Sequence, residues 1–205
     1  MNSRTLKLIR LTALAVAVVV AGWMGWQQFS QVQAPRGNLA GSTLGGPFRL
    51  IDQDGKARTS EDFAGQWRLM YFGYTFCPDI CPTDAAIIGK ALKAFEAKDP
   101  KRAAKVTPIF ITVDPKRDDP ASLKAYVEAF HPRFVGLTGS EAEVAATLKR
   151  YGIYASIAQT SDPENYLVDH FAVFYLFDGE GRPVAFVPHG EEMSAVLKML
   201  DTHVH

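Results

Sequence analysis

The sequence predicts an α/β domain built around one mixed sheet, carried behind an N-terminal apolar span. Three observations lead there. Short apolar runs of strand character alternate with longer segments of helical period; the chain closes on a hairpin and a last amphipathic helix; and Leu11 to Trp26, "LTALAVAVVVAGWMGW", holds no charge. With 47% hydrophobic and 11% aromatic residues, the 205-residue chain can fill one sizeable core besides the span.

Extended to Leu8 and Ile9 on one side and Phe29 on the other, the span reaches the roughly 20 residues of a bilayer crossing, with Arg10 placed to snorkel. Arg4, Lys7 and Arg10 precede it, and one arginine, Arg36, follows in "QQFSQVQAPRGN". The positive-inside rule then puts residues 1–10 in the cytoplasm, 11–29 in the membrane as an anchor, and the rest outside. Trp23 and Trp26 suit an interfacial belt. Val19-Val20-Ala21 offers the rival reading of a cleaved signal peptide, but the Trp and Met that follow and the length of the run favour a retained anchor. No long Arg- and Ser-rich presequence precedes the span, so the expected setting is a bacterial inner membrane, crossed once, with the domain in the periplasm.

Residues 30–46, rich in Gly, Ser, Pro, Gln and Ala, read as a flexible tether, and the domain is expected over 47–205. "FRLIDQDGKART" carries Asp54-Gly55 between two extended runs, a hairpin signal. "RLMYFGY" is a buried strand running into a loop with both cysteines. In "CPTDAAIIGKALKAFEAK", Ile87, Ile88, Leu92 and Phe95 share one helical face. "VTPIFITVD" is a second apolar strand, closed by "PKRDDP"; there Asp118 or Asp119 is expected near the N-cap of the helix "ASLKAYVEAF", with Pro120 in its first turn. "RFVGLTG" is a short strand, Ser140 caps a helix that ends at Gly152, and "DHFAVFYLFD" with "RPVAFVP" forms the closing hairpin before "EEMSAVLKMLDTHV".

Lys+Arg 22 against Asp+Glu 22 gives zero formal net charge, and with no local basic stripe nothing draws the chain to nucleic acid. "GNLAGSTLGG" lacks the Gly-Lys-Ser/Thr ending of a phosphate loop, and no Gly-x-Ser-x-Gly elbow is present.

Cys77 and Cys81, in "YFGYTFCPDICPTD", are the only cysteines. A structural disulfide between them would close a loop of three residues and restrain the unfolded chain very little. Flanking prolines and aspartates fit poorly with two inert buried thiols. Pro82 suits the first position of a helix, which puts Cys81 near the N-cap, where the helix dipole favours thiolate. Cys77 falls in the preceding loop. Thiolate serves disulfide exchange and metal binding alike, so both remain open. Three intervening residues, rather than the two of common redox motifs, loosen a disulfide ring and suit chelation, and two soft thiolates suit Cu(I) with room for a third donor. His170, beside Asp169 and opening "HFAVFYLFD", is the first candidate; His189 in "VPHG" is the reserve. His131 reads as a solvated helix end, and His203 and His205 as a tail that binds metal only adventitiously.

"FGYTFCPDICPTD", "ITVDPKRDDP" and "DHFAVFYLFDGEGRPV" together strongly resemble the Sco (SenC-like) family, from about Pro47 to the last helix. The resemblance implies a thioredoxin-like fold and a copper site, for Cu(I) and/or Cu(II), of two thiolates and one imidazole on Cys77, Cys81 and His170. It further implies delivery of copper to the dinuclear centre of cytochrome c oxidase, or reduction of that centre's cysteines. The implied partners are the oxidase's copper-bearing subunit, other copper carriers and thiol reductants. Asp79 and Asp169 match acidic positions near the site, with ligand-orienting or docking roles. "CPTDAA" departs by placing Ala85 where leucine often follows the acidic residue. The alternative on the same cysteines is a thiol:disulfide oxidoreductase or redox sensor; zinc is the rival metal, with no glutamate placed for hydrolysis.

Overall fold

The computed structural model describes residues 16, 18–23, 37–158 and 165–205. Most of the expected anchor and all of residues 1–10 lie outside these. Residues 18–23 are helical and exposed; among the described residues no helix is long and apolar enough to cross a membrane.

The globular unit runs from Arg36 to His205. Its strands are β1 (Gly37–Asn38), β2 (Arg49–Asp52), β3 (Ala57–Thr59), β4 (Trp67–Gly73), β5 (Val106–Thr112), β6 (Val135–Thr138), β7 (Ala155–Ile157), β8 (Val168–His170), β9 (Val173–Phe177) and β10 (Pro183–Pro188). The helices are α1 (Ile80–Lys98), α2 (Pro100–Ala103), α3 (Pro120–Phe130), α4 (Glu141–Arg150) and α5 (Met193–His203). The main sheet has the order β1-β10-β9-β4-β5-β6-β2-β3; β7 and β8 form a separate pair. β4, β5 and β6 are parallel, while β9 runs antiparallel to β4 and β10 to β9. The sheet is therefore mixed, as expected.

β4 is the central strand, and its alternation explains why both faces are filled. Tyr71 meets Phe110 and Phe174 at 5.9 and 5.5 Å, whereas Phe72, pointing the other way, meets Tyr151 at 5.6 Å and Tyr175 at 6.3 Å. Helix α1 packs on α5 and α3, and α4 lies against β2. Truncating any one of these buried rings to alanine costs about 3–5 kcal/mol.

Local signals hold where chemistry fixes them. Gly55 turns the β2–β3 hairpin at φ +78, Gly152 follows α4 at φ +65, and Ser140 and Glu143 form a reciprocal capping box. Four expectations need correction. Gly37 and Asn38 pair with Phe186 and Ala185, so part of the segment assigned to a tether is built into the sheet edge. "DHFAVFYLFD" is not one strand: His170 ends β8, and the main sheet resumes at Val173, because the Phe171 N–H donates to the Tyr154 carbonyl instead of a main-sheet partner. His131 is not solvated but buried, its Nε2 lying 3.3 Å from Glu96 Oε2. Finally, α1 begins at Ile80, two residues before Pro82.

Candidate metal centre

The three residues singled out from the sequence converge at the carboxyl end of β4. Gly73 lets this happen, since a Cβ there would sit 3.0 Å from the Cys81 sulfur and 3.1 Å from the Phe110 ring. Cys81, in the first turn of α1, is fully buried against it, and Cys77 in the loop is half-buried. The Cys81 backbone N–H donates to Cys77 Sγ at 3.3 Å. Asp79, at the N-cap, makes no side-chain cap, so the Cys77 sulfur takes up a helix N–H that a capping oxygen would usually accept.

This arrangement separates the two thiols. Hydrogen bonding from Cys81, assisted by the backbone N–H groups of Asp79 and Cys81, holds Cys77 down to about 5. The same contact with Cys77, together with burial, pushes Cys81 far up. At neutral pH the reduced pair is one thiolate and one thiol sharing its proton.

His170 approaches from β8, whose partner strand β7 sets it opposite Ala155. Its Nε2 lies 3.5 Å from Cys81 Sγ, and its ring stands edge-on to Tyr74, centroids 6.1 Å apart. The Tyr74 hydroxyl accepts the Val168 N–H at 3.2 Å, tying the cysteine loop to β8. Burial lowers the His170 pKa and favours the neutral imidazole that binds metals, and its Nδ1 is buried with no hydrogen-bond partner. A cavity of about 310 Å3 opens here between Cys77, Ile80, Asp169 and His170.

The donor set fits a soft or borderline metal. Metal–sulfur and metal–nitrogen bonds of about 2.3 and 2.0 Å at a tetrahedral angle place two donors roughly 3.5 Å apart, matching the separation of Cys81 and His170. Among the described residues no three His, Cys, Asp or Glu side chains are gathered closely enough to enclose an ion as they stand. Cys81 and His170 are thus a preformed pair, with Cys77 beside them.

The remaining candidates resolve differently. His189 is not at the sulfur pair; its Nδ1 lies 3.0 Å from both oxygens of the fully buried Asp84, one turn along α1 from Cys81. Asp79 and Asp169 are exposed and, among the described residues, hold no side-chain hydrogen bond or ion pair, so neither orients His170. His205 lies against Lys105, its carbonyl accepting from Nζ.

The sequence reading missed the support beneath the loop. Asp119, not Asp118, caps α3, accepting the Ser122 N–H at 2.7 Å. Asp118 is buried and turned back under the cysteines, where it accepts from Thr75 and Thr112. Arg117 pairs with Asp114, donates to the Tyr166 carbonyl at 2.9 Å, and lies over the rings of Tyr166, Phe76 and Tyr74 at 3.6, 5.0 and 5.7 Å. The signal was "RDD" itself, with one acid more than a cap requires.

Residues 36–205 match the sequence pattern described as SCO1/SenC. The chain belongs to the SCO1/SenC family. The mouse mitochondrial SCO2 homolog is 35% identical over 201 residues, covering 95% of this chain and 77% of that protein. The human SCO2 homolog is 41% identical over 155 residues, covering 76% of this chain and 56% of that one. Among solved structures, Bradyrhizobium japonicum ScoI with copper bound is 41% identical with a TM-score of 0.70, covering 78% of this chain and 99% of that one. A thioredoxin domain from Bacteroides vulgatus, 17% identical with a TM-score of 0.54, covers 79% of this chain and 96% of that one, and shares the fold alone. This SCO1/SenC chain therefore has the thioredoxin-like fold, with its cysteine pair at the strand-to-helix junction.

Proposed function

We propose that this SCO1/SenC protein is a copper carrier that serves the dinuclear copper centre of cytochrome c oxidase, held by residues 11–29 in a bacterial inner membrane with its domain in the periplasm. One observation carries the copper reading: the buried Cys81 sulfur and the His170 imidazole stand 3.5 Å apart, with the half-exposed Cys77 sulfur beside them at the mouth of a cavity. Copper is cargo here. Cys81 and His170 form the floor of its site, and Cys77 joins as the third donor by turning its sulfur from the Cys81 N–H. Two thiolates and one imidazole leave Cu(I) with net charge −1 and Cu(II) neutral, so neither state buries a large charge. A three-donor site keeps one side open to an incoming partner thiolate. The copper-bound structure of the Bradyrhizobium japonicum relative supports the assignment.

A second reading has an observation of its own. A low-lying thiolate at Cys77 beside a buried thiol at Cys81 is also the pairing of an attacking and a resolving sulfur. In that role Cys77 attacks a partner disulfide and releases one partner thiolate. Cys81 then displaces the second, and two electrons pass to the partner while Cys77 and Cys81 become a disulfide.

Anaerobic Cu(I) titration of the reduced full-length protein against a competing chelator, for wild type and His170→Ala, separates the two. One tightly held copper per chain, weakened at least tenfold in the variant, supports the carrier. Binding indifferent to His170, with disulfide exchange that needs both thiols, would leave the reductase.

A further inference from the structure

A cavity of about 1000 Å3 lies far from the cysteines. It opens at the start of β4, where Trp67 and Arg68 lie roughly 17–20 Å along the strand from Gly73, at about 3.3 Å per residue. Arg68 is only 5% exposed, on a strand whose next four residues are wholly buried apolar side chains. Its Nε is buried without an acceptor, and among the described residues its guanidinium makes no hydrogen bond or ion pair. A guanidinium whose Nε donor is buried and unanswered beside a large opening is costly unless something in the opening answers it.

The surroundings keep that fork in place at the floor of the opening. Gly181, at φ +79, leaves room for it, since a Cβ there would sit 3.0 Å from Arg68 Nη1. Gly65 and Gly179 cross just as tightly, a Cβ on Gly179 falling 3.1 Å from the Gly65 backbone. Neighbouring carboxylates do not neutralise the arginine. Asp178 and Glu180 are both taken by Arg182, at 2.7 and 2.9 Å, while Glu61 lines the groove with no ion-pair partner of its own. The groove thus offers a planar cation in its floor and, on its wall, the Glu61 carboxylate, hydrogen-bonded to Thr59 and Ser60 but without a cation partner. We propose that it binds a small zwitterion of the amino-acid or short-peptide class, with the carboxylate forked on Arg68 and the ammonium directed to Glu61. Asp178 and Glu180 share the single cation Arg182, and the one net negative charge they leave selects against multiply charged anions.

Calorimetric titration of the full-length protein in neutral detergent tests this, with glycylglycine, acetate and inorganic phosphate as probes. Glycylglycine is expected to bind saturably and more tightly than phosphate. Arg68→Met, which keeps the stem and removes the unpaired charge, is expected to weaken it at least tenfold with an unchanged circular dichroism spectrum. Glu61→Gln is expected to weaken glycylglycine and leave acetate unchanged. Should Arg68→Met fail to fold, Arg68→Lys retains the charge without the fork, and a similar tenfold loss is expected. No saturable binding of any probe, equal affinity in the Arg68 variants, or tighter binding of phosphate overturns the proposal.

Discussion

Asp118 holds Thr75 across 43 residues of sequence: its oxygens accept the Thr75 N–H at 3.2 and 3.0 Å, and Oδ1 accepts the Thr75 hydroxyl at 2.6 Å. Oδ2 also takes the Thr112 hydroxyl at 2.6 Å. The carboxylate therefore fastens the loop two residues before Cys77 to the end of β5. Asp118→Ala leaves three donors unanswered at a buried point, and we expect it to cost about 2–3 kcal/mol in denaturant unfolding. Asp118→Asn keeps one acceptor and should cost less. Burial raises the Asp118 pKa, so its contribution is greatest at acid pH and declines as pH rises through the folded value. The deficit of Asp118→Ala should accordingly be larger at pH 4 than at pH 8; a deficit that grows with pH would refute this account.

Cys77 should react long before Cys81. With its thiolate stabilised to about 5 by Cys81 and the loop N–H groups, alkylation by iodoacetamide is expected to hold its rate down to pH near 5. Cys81, fully buried with its pKa raised, should label only on unfolding. Because the folded Cys77 pKa lies below that of the unfolded chain, its contribution to stability is present in alkali and fades as pH falls toward 5. Site-resolved mass spectrometry of the reduced protein measures both rates. Cys81→Ser replaces the sulfur donor and should move the Cys77 profile to a different midpoint; an identical profile would detach the low value from the pair.

His189 serves a carboxylate rather than a metal. Asp84 is fully buried, and burial raises its pKa while His189 pulls it back. His189→Ala removes the partner at 3.0 Å and leaves a buried acid, at an expected cost of about 1–3 kcal/mol. The folded Asp84 pKa then climbs further above its unfolded value. The variant's deficit should be small in acid, where Asp84 is protonated, and widen as pH rises. Since Asp84 lies one turn from Cys81, copper affinity should fall modestly, far less than in His170→Ala.

The elements of this domain were readable wherever one residue's chemistry dictates a local answer, as at Gly55, Ser140 and Gly152. His170 was legible as the histidine that meets the cysteines but not as the end of a strand, because the break after it depends on where Phe171 sends its N–H, and Tyr154 is not a sequence neighbour. The sequence leaves open which of Asp118 and Asp119 caps the helix for a similar reason. A cap is a local device and Asp119 supplies it, whereas the contact with Thr75 exists only after β4 and β5 have paired. The helix dipole was expected to favour thiolate at Cys81, but the contact with Cys77 and burial push Cys81 up and the depressed thiol is Cys77, a side-chain geometry that no spacing encodes. His189 was undecidable alone, since its partner Asp84 lies on another element.

The surface around the site predicts how a partner is met. Phe76, Ile80, Tyr154, Ile157, Leu167 and Phe171 are 41–67% exposed, and all stand on the cysteine loop, the start of α1, or the β7–β8 arm that presents His170. Exposed large apolar side chains mark a contact face, and here Ile80 and Leu167 line the cavity from which copper would leave, with the others on the same loop and arm. Asp79 and Asp169 sit among them without ion-pair partners, so the complementary face should be apolar and fringed with lysine or arginine. Leu167→Ser with Phe171→Ser removes apolar area that is about half exposed at each site, and should cost about 1 kcal/mol per site in stability. Copper affinity should be unaffected, while copper transfer to the isolated copper-bearing oxidase domain slows at least tenfold in stopped-flow absorbance. Asp79→Asn should instead lower the association rate and flatten its dependence on salt. Transfer that proceeds at the wild-type rate in the double variant would mean that the partner reaches Cys77 without using this face.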